Sequence, residues 1–177
     1  MFVRTAERAV EVWDRFQLPS EGFESAMLGR LFRARAVATA ERAIGLFHQL
    51  TAHLAEAVTV EIADLRGGTS WRGDGLARDA TRAAIDAARD IVARHAGVEI
   101  TLYDDEDQLT LGAHLEIVIY SFSARWYYLL RGAGLEPYRA LPSRSWRLGR
   151  SEFPPAPALS AALRDVVDRL GLAEMVT

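Results

Sequence analysis

Residues 97–122 read GVEITLYDDEDQLTLGAHLEIVIYSF, and the fold turns on that stretch. Val98, Ile100 and Leu102 alternate with Glu99, Thr101 and Tyr103, the period of two that marks a half-buried strand. Four consecutive acids, Asp104-Asp105-Glu106-Asp107, then interrupt the pattern. Gln108 to Leu111 resumes it, and Leu115 to Phe122 supplies a longer, more apolar strand. The pattern predicts an antiparallel meander whose first turn carries a compact negative charge.

The flanking residues read as helices that cover one face of this sheet, an α+β architecture in one domain spanning residues 1–177. Phe2, Ala6, Ala9, Val10, Trp13 and Phe16 recur at helical spacing. From Phe23 to about Ala55 the helical spacing continues through Met27, Leu31, Phe32, Val37, Ala40, Ile44, Phe47 and Leu54. One straight helix of that length would run ~50 Å, too long for a compact domain, so a break is expected near Gly45 or at Ala38-Thr39-Ala40. Val58 to Ile62 alternates as a strand, and Gly67-Gly68 reads as a hairpin or exposed loop.

Asp74 is placed to cap a helix over Leu76–Ala96 whose buried face is Leu76, Ala80, Ala83, Ala84, Ala87, Ile91 and Val92. Gly97 supplies its left-handed stop. Residues 125–132 fit helix or strand, and the adjacent Trp126, Tyr127 and Tyr128 favour an extended segment. Phe153-Pro154-Pro155-Ala156-Pro157 is a stiff linker before a last amphipathic helix that ends at Gly171.

The absent residue types exclude much chemistry. The chain has no cysteine, lysine or asparagine, so all 21 positive side chains are arginine. That removes thiolate metal sites, thiol nucleophiles, Schiff-base lysines, the lysine of a phosphate loop and N-glycosylation. With so many Ala, Arg and Gly codons, the bias points to a high-GC bacterial gene. The first residues make a poor signal peptide and no apolar run spans a bilayer, so a soluble cytoplasmic protein is expected. The net charge of −3 argues against nucleic acid as a partner.

No residue set is assigned a catalytic role, and neither metal nor cofactor is expected. The acidic turn, Asp104, Asp105, Glu106 and Asp107, lacks the spaced ligands of a calcium loop and reads first as a solvated corner, or as a surface that docks against arginines. His114 follows Gly112 at a strand start, where a general base is conceivable but an exposed loop histidine is commoner. Arg72-Gly73-Asp74 resembles an integrin-binding tripeptide, a match that chance supplies often.

The densest polar constellation is an arginine arm, Arg139, Arg144, Arg147 and Arg150 with Trp146, and no acid lies between Pro137 and Ser151. Arginine and tryptophan dominate binding hot spots, and Trp71 joins them beside a loop. The expectation is a non-enzymatic module acting on a partner protein, as an inhibitor, immunity-type protein or regulator, with room for a homodimer. The alternatives are a small hydrolase using carboxylates, His114 and a metal, or a ligand sensor with a pocket between helices and sheet.

Overall fold

The computed structural model describes residues 21–138 and 153–175. The expected helix over residues 2–16 and the arginine arm from Arg139 to Arg150, including Trp146, lie outside the described residues. In chain order the elements are β1 (Gly22–Leu28), β2 (Leu31–Val37), α1 (Ala40–Thr51), β3 (Ala57–Asp64), β4 (Thr69–Ala77), α2 (Arg78–Asp86) and α3 (Arg89–His95). They continue with β5 (Val98–Tyr103), β6 (Asp107–Leu111), β7 (Ile117–Ser121), α4 (Arg125–Gly132), β8 (Glu136–Tyr138), α5 (Pro157–Leu170) and β9 (Ala173–Glu174). The nine strands among the described residues join one sheet in the order β8-β1-β2-β7-β6-β5-β3-β4-β9. Every pair is antiparallel except β1 with β8, so the sheet is mixed and the class α+β.

The meander forms as its pattern requires, with Thr101 opposite Thr110 and Thr110 opposite Val118. Val98, Ile100, Leu102, Leu109, Leu111, Ile117 and Ile119 share one face and are buried there. Ala34 and Ala36 of β2, and Val58, Val60 and Ile62 of β3, extend that face. Helix α1 packs on β6, α2 on β3 and β4, α4 on β2, and α5 on β4. The opposite face is polar. One register row crosses it as Tyr138, Glu24, Arg35, Val118, Thr110, Thr101, Glu61 and Arg72.

Three expectations are corrected. Residues 23–37 form a hairpin, not a helix, and the long helix shrinks to α1. Phe32, Ala34 and Ala36 alternate with Arg33 and Arg35, and Gly29 at φ 64° makes the turn that a β-carbon would resist. The break falls at Ala38-Thr39, while Gly45 stays inside α1.

Second, the segment expected as one helix over 76–96 is split. Leu76 belongs to β4, and α2 and α3 meet at Ala87-Ala88. Thr81, Ala84, Ile85, Ala88 and Val92 are buried, whereas Ala80, Ala83 and Ala87 are exposed. Asp74 caps nothing: it lies in β4 and accepts hydrogen bonds from Thr59 and Arg72. Third, residues 125–132 are helix α4, because Trp126 and Leu130, four apart, are both fully buried.

The Gly67-Gly68 hairpin is held from inside. Asp64, in phase with Val60 and Ile62, is buried and accepts the N–H of Arg66 at 2.9 Å, that of Gly67 at 3.0 Å and the Ser160 hydroxyl at 2.8 Å. Arg66 donates to the carbonyls of Ala96, His95 and Pro154 and lies over the Phe153 ring. One guanidinium thus ties the C-terminal end of α3, where the helix dipole favours a cation, to the proline linker before α5. Burial lowers the Arg66 pKa and Asp64 pulls it back.

Candidate functional site

The acidic turn is half structural and half surface. Asp107 is in phase with Leu109 and Leu111, so its side chain enters the helix-covered face, where it is 3 % exposed. Its carboxylate accepts the indole N–H of Trp126 at 2.8 Å and ion-pairs with Arg125. Arg125 lies over the Trp126 ring and also donates to the His53 carbonyl at 3.1 Å. Asp104 closes the turn: it accepts the N–H groups of Ala55 at 2.7 Å and of Glu106 and Asp107 at 2.9 Å each. Burial works to raise its carboxyl, but those three donors prevail and hold it below the ordinary carboxylate range. The solvated-corner reading is therefore corrected for Asp104 and Asp107, which the protein's own backbone and Arg125 engage. Asp105 and Glu106 remain exposed, with no ion pair among the described residues.

Two concavities flank the turn. On one side, a groove of about 710 Å³ runs between the α1–β3 loop and β5, lined by His53, Ala55, Thr59, Gly75, Tyr103 and the four acids. On the other, a depression of about 190 Å³ is lined by the acids with Leu31, Tyr103, Gln108, Tyr120 and Phe122. Leu28, Leu31, Tyr120 and Phe122 are all in phase with the polar face of the sheet. Phe122 is 67 % exposed and Leu28 55 %, large apolar side chains in water at the same sheet end as the acids. Arg33, opposite Tyr120, lies over its ring at 5.9 Å.

The other expected residues are placed elsewhere. Trp71 pairs with Ile62 on the buried face and is 9 % exposed, so it serves the core. His114 is 6 % exposed, against the Phe153 ring at 5.2 Å, in the turn between β6 and β7. It thus sits at the far end of β6 from the acidic turn. Arg72 of the Arg-Gly-Asp tripeptide is occupied by Asp74 of the same strand at 2.9 Å and by Glu61.

Among the described residues, no group of three or more His, Asp and Glu side chains is arranged to hold a metal ion, and no helix is long and apolar enough to cross a membrane. Sequence reasoning missed Arg125, Phe122 and Leu28, and marked Arg30 and Arg33 only as part of a positive cluster with Arg35 and Arg42. The signal was present for Phe122, which continues the alternation of Val118 and Tyr120, and for the need of a partner such as Arg125, since Asp107 is in step with Leu109 and so turns inward.

Compared with known proteins, the chain matches no family model, no curated protein and no solved structure.

Proposed function

We propose that this chain is a non-enzymatic binding module that acts on a partner protein through the acidic end of its polar sheet face. The observation that carries the reading is the surface beside the turn, where Phe122 stands exposed between arginines and carboxylates that have no ion pair among the described residues. Anchoring aromatics with arginine, rimmed by charge, are what protein interfaces use most. A turn tied by three N–H donors to Asp104 also presents Asp105 and Glu106 rigidly, which lowers the ordering cost of binding. The hydrolase alternative needs His114 beside the carboxylates, and the two lie at opposite ends of β6.

The test is a photo-crosslinking residue in place of Phe122, irradiated in the source cell. Adducts to a defined polypeptide, lost when Asp105→Arg and Glu106→Arg are added, support the reading. Absence of any polypeptide adduct from a folded, expressed protein would refute it. The groove beside His53 and Tyr103 favours a second reading, a sensor of small cationic ligands. A rise in thermal midpoint with simple amines, abolished by Tyr103→Phe with Asp105→Asn, would support that one.

A further inference from the structure

Four charged side chains near the acidic end have no ion pair among the described residues, and their order across the sheet is informative. Arg30 and Arg33 lie on the β1–β2 hairpin, Phe122 at the end of β7, and Asp105 and Glu106 in the β5–β6 turn. Sheet order runs β2, β7, β6, β5, so the sequence across the face is cationic, apolar, anionic. Adjacent strands are ~4.8 Å apart, which sets the two charged flanks roughly 10–15 Å from each other with Phe122 between them. Leu31, on β2 next to Phe122, widens the apolar centre.

Such a patch is complementary to itself. A two-fold axis beside Phe122 exchanges the flanks, so each arginine pair faces the acid pair of the other copy while the two Phe122 rings meet on the axis. A two-fold interface requires that one surface fit its own image, and opposite charges at equal distances from an apolar centre meet that condition. We propose that the occupant of this patch is a second copy of the chain, in a two-fold dimer with Arg30 and Arg33 against Asp105 and Glu106. This rests on the binding reading above and names its partner. Each charge gains an opposite that the described residues of its own chain do not provide, and the exposed Phe122 leaves water.

Two charge reversals test it. Variant one carries Arg30→Glu with Arg33→Glu; variant two carries Asp105→Arg with Glu106→Arg. All four positions are exposed, so folding should be unaffected, and circular dichroism checks this. Sedimentation at low ionic strength is expected to give a concentration-dependent dimer for the wild type, weakened by added salt. Each variant alone sets like charges together on both flanks, and its dimer should be weaker by roughly tenfold or more. An equimolar mixture restores opposite charges on both flanks and should form a heterodimer.

Phe122→Ser should weaken the wild-type dimer without changing its charge. A monomeric wild type at the highest soluble concentration, variants that dimerise as the wild type does, or a mixture that stays monomeric would each overturn the dimer. Heterologous adducts from position 122 with a monomeric wild type would leave the binding reading standing while removing this one.

Discussion

At the scale of single residues, the half-buried Glu116 and the buried Asp107 support separate expectations. Burial pushes the Glu116 carboxyl up, and the N–H groups of Glu116 itself and His114, with the charge of Arg35, offset this only in part. The folded chain therefore holds that proton more tightly than the unfolded one. Stability from this group is greatest in acid and falls as pH rises from the unfolded value, about 4.3, through the higher folded value. Glu116→Gln keeps a carbonyl oxygen for the His114 N–H. It is expected to raise the denaturation midpoint at neutral pH and to leave it unchanged below about pH 3, where Glu116 is protonated in both states. An equal effect at both pH values would mean that packing, not ionisation, is responsible. Asp107 is buried and accepts the Trp126 indole N–H. Asp107→Ala strands the indole N–H of the fully buried Trp126, and an unmet buried donor costs about 1–3 kcal/mol. Urea melts would measure that loss; an unchanged midpoint would show that the indole finds another acceptor.

At the scale of elements, α2 offers the sharpest contrast, because it contains adjacent alanines on opposite sides. Ala84 is 6 % exposed and lies in the core, whereas Ala83 faces water. Ala84→Leu should overpack the contact and cost on the order of 1–3 kcal/mol, while Ala83→Leu should change stability by less than about 0.5 kcal/mol. Equal costs would place the buried face wrongly. The acidic turn supports a second expectation. Asp104 is bound by three N–H groups and Asp107 by Trp126 and Arg125, which leaves two carboxylates, too few for the six to eight oxygens calcium takes. Millimolar calcium or magnesium should then leave the thermal midpoint within about a degree of its starting value, since only tight binding to the native state raises it. A larger shift abolished by Asp105→Ala would reverse that conclusion.

At the scale of the whole molecule, the sheet gains one edge strand through the parallel pairing of β1 with β8, which brings Gly22 against Glu136. Gly22 has no side chain because there is no room for one: an added β-carbon would overlap the Tyr138 ring and lie 2.6 Å from the Glu136 carbonyl oxygen. Gly22→Val should therefore pry β8 from β1, at a cost of about 2 kcal/mol or more. Hydrogen exchange should show the loss confined to β8 and the near end of β1, with β5 to β7 still protected. Loss of protection throughout the meander would mean that the parallel seam holds the whole sheet together.

What the sequence determined alone is local. Alternation over 98–103 and 115–122 specified the meander, because a period of two leaves one face apolar and one polar whatever lies beyond. Gly171, at φ 63°, ended α5 as a left-handed cap, whereas α3 turns off one residue before the expected glycine, at Ala96 with φ 52°, and Gly97 at φ 75° follows it. The tertiary structure decided the rest. Residues 23–37 satisfy helical and extended spacing alike, and only pairing of β2 with β7 made the extended state the one that satisfies its backbone. Residues 125–132 became a helix because Trp126 could reach Asp107 from there. The candidate surface was legible only in part. Four acids in a row announce charge, but which are spent inside and which face outward depends on Ala55, Arg125 and Trp126, brought to the turn by the fold. Spacing along a chain reports which face a side chain takes; it carries no record of which distant group that face will meet.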